Sequence, residues 1–179
     1  MQKHSYWVAF YTILTKEFYR FIRIWPQTLL PPVITTVLYF LIFGKIIGDR
    51  VGDMAEGISY AQYIAPGLIM MTVISNSYSN VLSSFFSAKY ARHIEELMVA
   101  PVSNLIIILG YVAGGVARGF AVGSIVTIVT LFFIDLNIQS YFMMALIFIL
   151  TSLVFSLAGL INAIFARNFD DISIIPTFI

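Results

Sequence analysis

Four long stretches of this chain are apolar and almost free of charge. They are Ile24 to Gly44, Gly57 to Ala88, Leu97 to Ile134 and Leu136 to Ala166, and Arg118 is the one ionisable residue well inside any of them. A bilayer core of ~30 Å is crossed by roughly 20 helical residues rising 1.5 Å each. Each stretch is long enough for one crossing, so the pattern predicts helical spans at about 27–47, 61–86, 104–134 and 141–165. Only "DLNIQS" separates the third span from the fourth, which leaves room for a tight turn and nothing more.

A different period precedes the first span. Trp7, Phe10, Tyr11, Leu14, Phe18, Phe21 and Ile22 recur at three- and four-residue steps and form one stripe. Lys16, Arg20 and Arg23 fall on the opposite side at ~100° per residue. A basic face opposite an aromatic one predicts an interfacial helix over residues 4–23, resting on an anionic leaflet. This charged stretch, with no small-residue cleavage site after the span, excludes a cleavable signal peptide.

Composition fixes the class. Hydrophobic residues make up 60% of the chain and charged residues 11%, against about a quarter charged in a soluble domain. The expectation is a single all-α polytopic membrane domain over residues 1–179. A net charge of +1 supplies no clustered cations for nucleic acid. The absence of cysteine excludes disulfide and thiolate chemistry. Lys3, Lys16, Arg20, Arg23, Lys89, Arg92 and Arg167 fall on one side of the predicted topology, and only Lys45 and Arg50 on the other. The positive-inside rule then puts the N-terminus and residues 88–101 in the cytoplasm.

Within the spans, three features stand out. Pro31 and Pro32 are tolerable only near a helix start. In the second span Asn76, Asn80, Ser83, Ser84 and Ser87 share one face, and in hydrocarbon that face needs another helix, a watery path or a dimer partner. In the third, Gly110 and Gly114 form one small-residue pair and Gly115, Gly119 and Gly123 extend another, with Ser156, Gly159 and Ala163 repeating the spacing in the fourth. Such spacing lets backbones approach closely. Counting ~20 residues back from Ile134 puts the inner boundary near Gly115. Residues 103–114 then form an apolar foot, and Arg118 either snorkels to phosphates or pairs across the bundle.

The catalytic inventory is empty. No GxxxxGK[ST] phosphate loop appears, so nucleotide hydrolysis by that machinery is excluded. His4 and His93 are far apart, Asp170 and Asp171 have no His or Glu neighbour for a metal, and no Ser-His-Asp set is suggested. The expectation is a non-enzymatic chain without cofactor or metal. The spans also lack carboxylates, which counts against a proton-coupled carrier, so transport by this chain needs an energy source elsewhere.

Between spans two and three stands "ARHIEELMVAP". Ile94, Leu97 and Met98 make one side of a short helix, Arg92 and Glu96 stand four apart as an exposed pair, and Pro101 ends it.

The blocks "YRFIRIWPQTLLPPVITTVLYFLIFG", "QYIAPGLIMM", "FFSAKYARHIEELMVAPVSN", "GYVAGGVARG" and "FDDISIIPTF" together resemble the permease subunits of type 2 ABC exporters, most of all the inner-membrane transport permeases of enterobacterial type. The resemblance covers essentially the whole chain. It implies a cytoplasmic elbow helix, six spans, a homodimer, and two separate ATPase subunits that bind the ATP. It also implies a bacterial inner-membrane location and export of drugs, polysaccharides or other amphiphiles. The family's coupling element maps onto residues 88–101, with Lys89, Arg92, Glu95, Glu96, Leu97 and Pro101 meeting the ATPase. Asn76, Asn80, Ser83, Ser84 and Arg118 fall to the translocation path or a helix interface. The sequence ends at "DDISIIPTFI", where a fifth span of the family would begin. The expectation is therefore the N-terminal part of a longer permease, or else a non-transporting scaffold or regulator.

Overall fold

The computed structural model describes residues 2–47, 53–55, 58–100, 102–136 and 138–178. Helix α1 (Gln2–Arg23) passes through Ile24 into α2 (Trp25–Tyr39), which widens into a π turn at Phe40–Ile47. Pro26 occupies the first turn of α2, where its missing N–H leaves no intrahelical bond unmade. Pro31 and Pro32 lie inside α2 instead of at its start, and each removes a donor to the preceding turn. In the segment that follows, Asp53–Ala55 (β1) pairs antiparallel with Ile58–Ser59 (β2).

The central element is α3 (Tyr60–Tyr90). Its start is written in the sequence S-x-x-Q: Ser59 Oγ accepts from Gln62 N at 3.3 Å and Gln62 Oε1 accepts from Ser59 N at 3.0 Å, a capping box that satisfies two orphan donors. The same Gln62 side chain donates through Nε2 to the carbonyl of Asp135 at 2.9 Å, tying this end of α3 to the turn between the next long helices. After α3 come α4 (His93–Val99), α5 (Asn104–Leu131), α6 (Tyr141–Phe165), α7 (Phe169–Ile174) and a single 3₁₀ turn, Ile175–Phe178. Ser140 caps α6 by accepting from Met143 N at 3.4 Å.

Among the described residues, the segments Trp25–Phe43, Asn104–Leu131 and Tyr141–Phe165 are long and apolar enough to cross a membrane. Helix α3 is longer still, at 31 residues, and is richer in polar residues, of which Ser77, Asn80 and Ser84 are buried within the bundle. The outward faces invert the soluble pattern: on α6, Phe142 is 75% exposed, Val154 59% and Ile161 56%, as expected where the surroundings are lipid tails. The molecule is an all-α polytopic membrane protein.

Packing is decided by small residues. Helix α5 presents two stripes to three partner helices. A Cβ on Gly110 would sit 2.6 Å from Ile13 Cγ2, and one on Gly114 would sit 2.7 Å from Glu17 Cβ, so this stripe receives α1. The other stripe receives α3 and α6: Gly115 faces Val81 and Ser156, Gly119 faces Ser77 and Ser152, and Gly123 faces Val73 and Phe148. The close-packing expectation is met, and the partners of both stripes lie within the chain. Helix α5 is continuous for 28 residues, ~42 Å at 1.5 Å per residue, and passes Gly115 without a break.

Candidate functional site

The polar groups of the bundle converge where α1, α3 and α5 meet. On α1, Ile13, Glu17 and Arg20 follow four- and three-residue steps and share the edge that faces the bundle. Glu17 is 1% exposed. Its Oε1 accepts from Ser84 Oγ, and its Oε2 lies 3.2 Å from Arg20 Nη2. That spacing makes an ion pair, yet its alignment leaves Oε2 without a hydrogen bond. Arg20 Nη2 also donates to the Asn80 backbone carbonyl at 2.9 Å and to Asn80 Oδ1 at 2.8 Å, and Nη1 reaches Ser83 Oγ at 3.4 Å. From α5, Arg118 Nη1 donates to the same Asn80 Oδ1 at 3.3 Å, and Nη2 to Asn76 Oδ1 at 3.4 Å.

This geometry corrects one expectation and selects between two alternatives. Arg20 does not belong to the outward basic face of α1; it turns into the bundle, where a carboxylate and an amide await it. Arg118 is held across the bundle, the second of the two arrangements open from the sequence. Asn76, Asn80, Ser84 and Arg118 do come together, with Ser83 at the rim, while Ser87 is exposed one turn beyond. Glu17 was missed altogether. A signal existed: it is the only carboxylate before Asp49, and it stands three residues from Arg20.

The connection between α3 and α5 is built differently. Lys89, assigned to a partner surface from the sequence, reaches the C-terminus of α6. Its Nζ donates to the carbonyls of Ile164 at 2.6 Å, Ala166 at 2.8 Å and Ala163 at 3.4 Å. Carbonyls of a last helical turn lack intrahelical partners, and a cation there also meets the negative end of the helix dipole. Lys89→Met is expected to cost about 1 kcal/mol and to speed hydrogen exchange at the end of α6, leaving exchange in α4 unchanged. Nearby, Phe169 of α7 stacks edge-on against Phe86 and Tyr90, with ring centroids 5.0 and 4.9 Å apart. Asp171 accepts from the backbone N–H of Arg167 at 2.9 Å and of Asn168 at 3.2 Å, and these bonds hold its carboxyl below the usual carboxylate range.

Arg92 adopts a left-handed backbone with φ 61°, turning the chain sharply from α3 into α4. It therefore lies outside the helix, and the expected Arg92–Glu96 pair does not form; His93 Nδ1 lies 3.9 Å from Glu96 Oε2 instead. Ile94 and Leu97 pack against the buried cluster of Ile13, Val81, Ile107, Tyr111, Val112 and Leu160. Glu95 and Glu96 are exposed, as are Met98 (65%) and Val99 (88%). Pro101 lies outside the described residues.

Residues 8–179 match the ABC-2 type transporter family. The chain belongs to that family. It is 60% identical over 176 residues to an Escherichia coli protein named inner membrane transport permease YadH, covering 98% of this chain and 68% of the relative, and the Shigella flexneri protein of that name matches equally. Nodulation protein J of Azorhizobium caulinodans is 26% identical over 151 residues, covering 81% of this chain and 59% of that protein. No solved structure matches.

As an ABC-2 permease the molecule is the non-enzymatic membrane component of an ABC transporter, a multi-pass protein of the inner membrane. Its two notable regions then divide by chemistry. The cluster of Glu17, Arg20, Asn76, Asn80, Ser84 and Arg118 is charge held inside the permease bundle. Helix α4 is an exposed, acidic and partly apolar surface, seated firmly on one side and free on the other.

Proposed function

We propose that this chain forms the membrane pathway of an ATP-driven exporter, works as a homodimer, and takes its energy from separate ATPase subunits that bind the ATP. The observation that carries the reading is α4 in an ABC-2 permease. Its Ile94 and Leu97 are wedged against α1, α3 and α5, so a push on the exposed Glu95–Glu96–Val99 surface is transmitted to the helices that carry the polar cluster. Lys89 and Arg92 contribute indirectly, by anchoring α6 and by setting the angle at which α4 leaves α3. The N-terminus and α4 are cytoplasmic in this reading, supported by the distribution of Lys and Arg. The aromatic side of α1, with Trp7 74% and Tyr11 69% exposed, rests against the inner leaflet as an elbow. Asn76, Asn80, Ser83 and Arg118 line or brace the path taken by the cargo.

The test is capture of an ATPase subunit by the tagged permease from native membranes. Glu95→Lys combined with Glu96→Lys reverses two exposed charges without touching the buried side of α4. It is expected to lower ATPase recovery by about tenfold or more, because like charges placed across an interface cost several kcal/mol and ~1.4 kcal/mol is already a factor of ten. Membrane insertion is expected to be unchanged. Recovery and transport equal to wild type in the double variant would overturn the docking assignment.

A further inference from the structure

Charge in the bundle does not balance. Among the described residues, two guanidinium groups and one carboxylate stand where α1, α3 and α5 meet. Glu17 is committed to Arg20 and Ser84. Arg118 has no carboxylate within ion-pair distance among the described residues, and its bonds to Asn76 and Asn80 are long, at 3.4 and 3.3 Å. Asn80 Oδ1 serves both cations at once, since Arg20 Nη2 donates to it at 2.8 Å. Amide oxygens supply dipoles, not charge. Arg118 is partly buried and its Nε fully so, and a cation drawn out of water without a counter-charge is costly in any protein interior and costlier inside a membrane.

Donors are in excess too. Arg118 Nε, Arg20 Nε and Asn80 Nδ2 are buried without partners, and all three belong to residues already bonded to one another. The cluster also has an open side: Ser83 and Ser87 are exposed on the face of α3 that carries Asn76 and Asn80, and Arg20 is 22% exposed. Arg118 follows Gly114, the point at which Glu17 meets α5, by a single helical turn.

We propose that Arg118, with Arg20 and Asn80, binds an oxyanion of the phosphate type, brought by a lipid headgroup or as free phosphate. Planar guanidinium forks match pairs of phosphate oxygens, and the bonds are charge-assisted. The anion restores charge balance, takes up the unfilled donors, and enters along the Ser83–Ser87 face.

The full chain, purified in a neutral maltoside detergent, is titrated with phosphatidylglycerol, phosphatidylcholine and inorganic phosphate in separate arms. Thermal unfolding and native mass spectrometry are the readouts. Phosphatidylglycerol is expected to raise the unfolding midpoint saturably where phosphatidylcholine does not, and Arg118→Gln to weaken that binding by at least ~tenfold, as loss of a charge-assisted bidentate contact requires. A saturable rise with inorganic phosphate alone assigns the site to soluble anions; a rise with phosphatidylglycerol alone assigns it to a headgroup; either supports the site. Asn76→Asp guards against misfolding of Arg118→Gln, because it places a carboxylate against Arg118 from within the chain. It is expected to raise the midpoint without added anion and to abolish the saturable effect. Wild type that responds to neither anion, or Asn76→Asp that binds as wild type does, overturns the proposal.

Discussion

Gly159→Leu is expected to abolish the folded bundle, so that the purified chain shows no cooperative melt in detergent and elutes as aggregate. The reason is the nature of the neighbour. A Cβ on Gly159 would lie 2.5 Å from the backbone carbonyl oxygen of Tyr78 and 3.3 Å from its Cα. At Gly123, by contrast, a Cβ would meet only side-chain atoms, of Val73 and Phe148, and no backbone. A carbonyl in mid-helix cannot turn away without giving up its own hydrogen bond, so α3 and α6 must separate. Overpacking of a core typically costs 1–3 kcal/mol even where side chains can adjust, and separation here would also strand Asn162, whose Nδ2 donates to Tyr78 Oη at 2.8 Å. Gly67 is the control. It lies on α3, the helix that Gly159 meets, with nothing within 4 Å of its Cβ position, so Gly67→Ala is expected to be neutral or to stabilise by up to ~1 kcal/mol through helix propensity. Equal melts for Gly159→Leu and Gly67→Ala would show that α3 and α6 are not in backbone contact.

That contrast also marks how far the sequence is legible. Element type follows from local pattern: uninterrupted apolar runs give the long helices, and the spacing of Gly110, Gly114, Gly115, Gly119 and Gly123 announces close approach. Which helix approaches is a long-range property. Nothing local distinguishes the Gly110–Gly114 stripe, which meets α1, from the Gly115–Gly123 stripe, which meets α3 and α6. The same limit explains Arg20 and Lys89. Each reads locally as a basic residue near an interface, and each is claimed by a partner sixty or more positions away, Asn80 and the end of α6 respectively. Arg92 fails for another reason: a left-handed φ is rare outside glycine, so a continuous helix was the natural reading and the four-residue pairing with Glu96 followed from it. The polar face of α3 was legible as a face in need of partners, and Arg118 as a cation able to pair across the bundle, but nothing local joined the two. Glu17 was hidden by the stronger aromatic stripe surrounding it.

Hidden as it was, Glu17 carries the second large effect. Glu17→Gln keeps the shape of the side chain and an oxygen able to accept from Ser84 Oγ, and removes only the charge. What remains is two guanidiniums, Arg20 and Arg118, bridged by the single Asn80 Oδ1. Breaking a buried ion pair by removing one partner typically costs about 3–5 kcal/mol, most of it the penalty of an uncompensated charge. A loss of that size is expected in the detergent melt, and wild-type stability in Glu17→Gln would mean that the pair contributes nothing. Adding Arg20→Gln to Glu17→Gln separates the two possible origins of the loss. If it arises from stranded charge, the double variant is expected to regain a large part of it, since one cation goes with the anion. If it arises from lost packing or hydrogen bonding, the second substitution makes matters worse, because the Arg20 bonds to the Asn80 carbonyl and to Ser83 disappear as well. The sign of the coupling between the two substitutions therefore decides whether Glu17 is present as a counter-charge, which is the role the bundle leaves half-filled at Arg118.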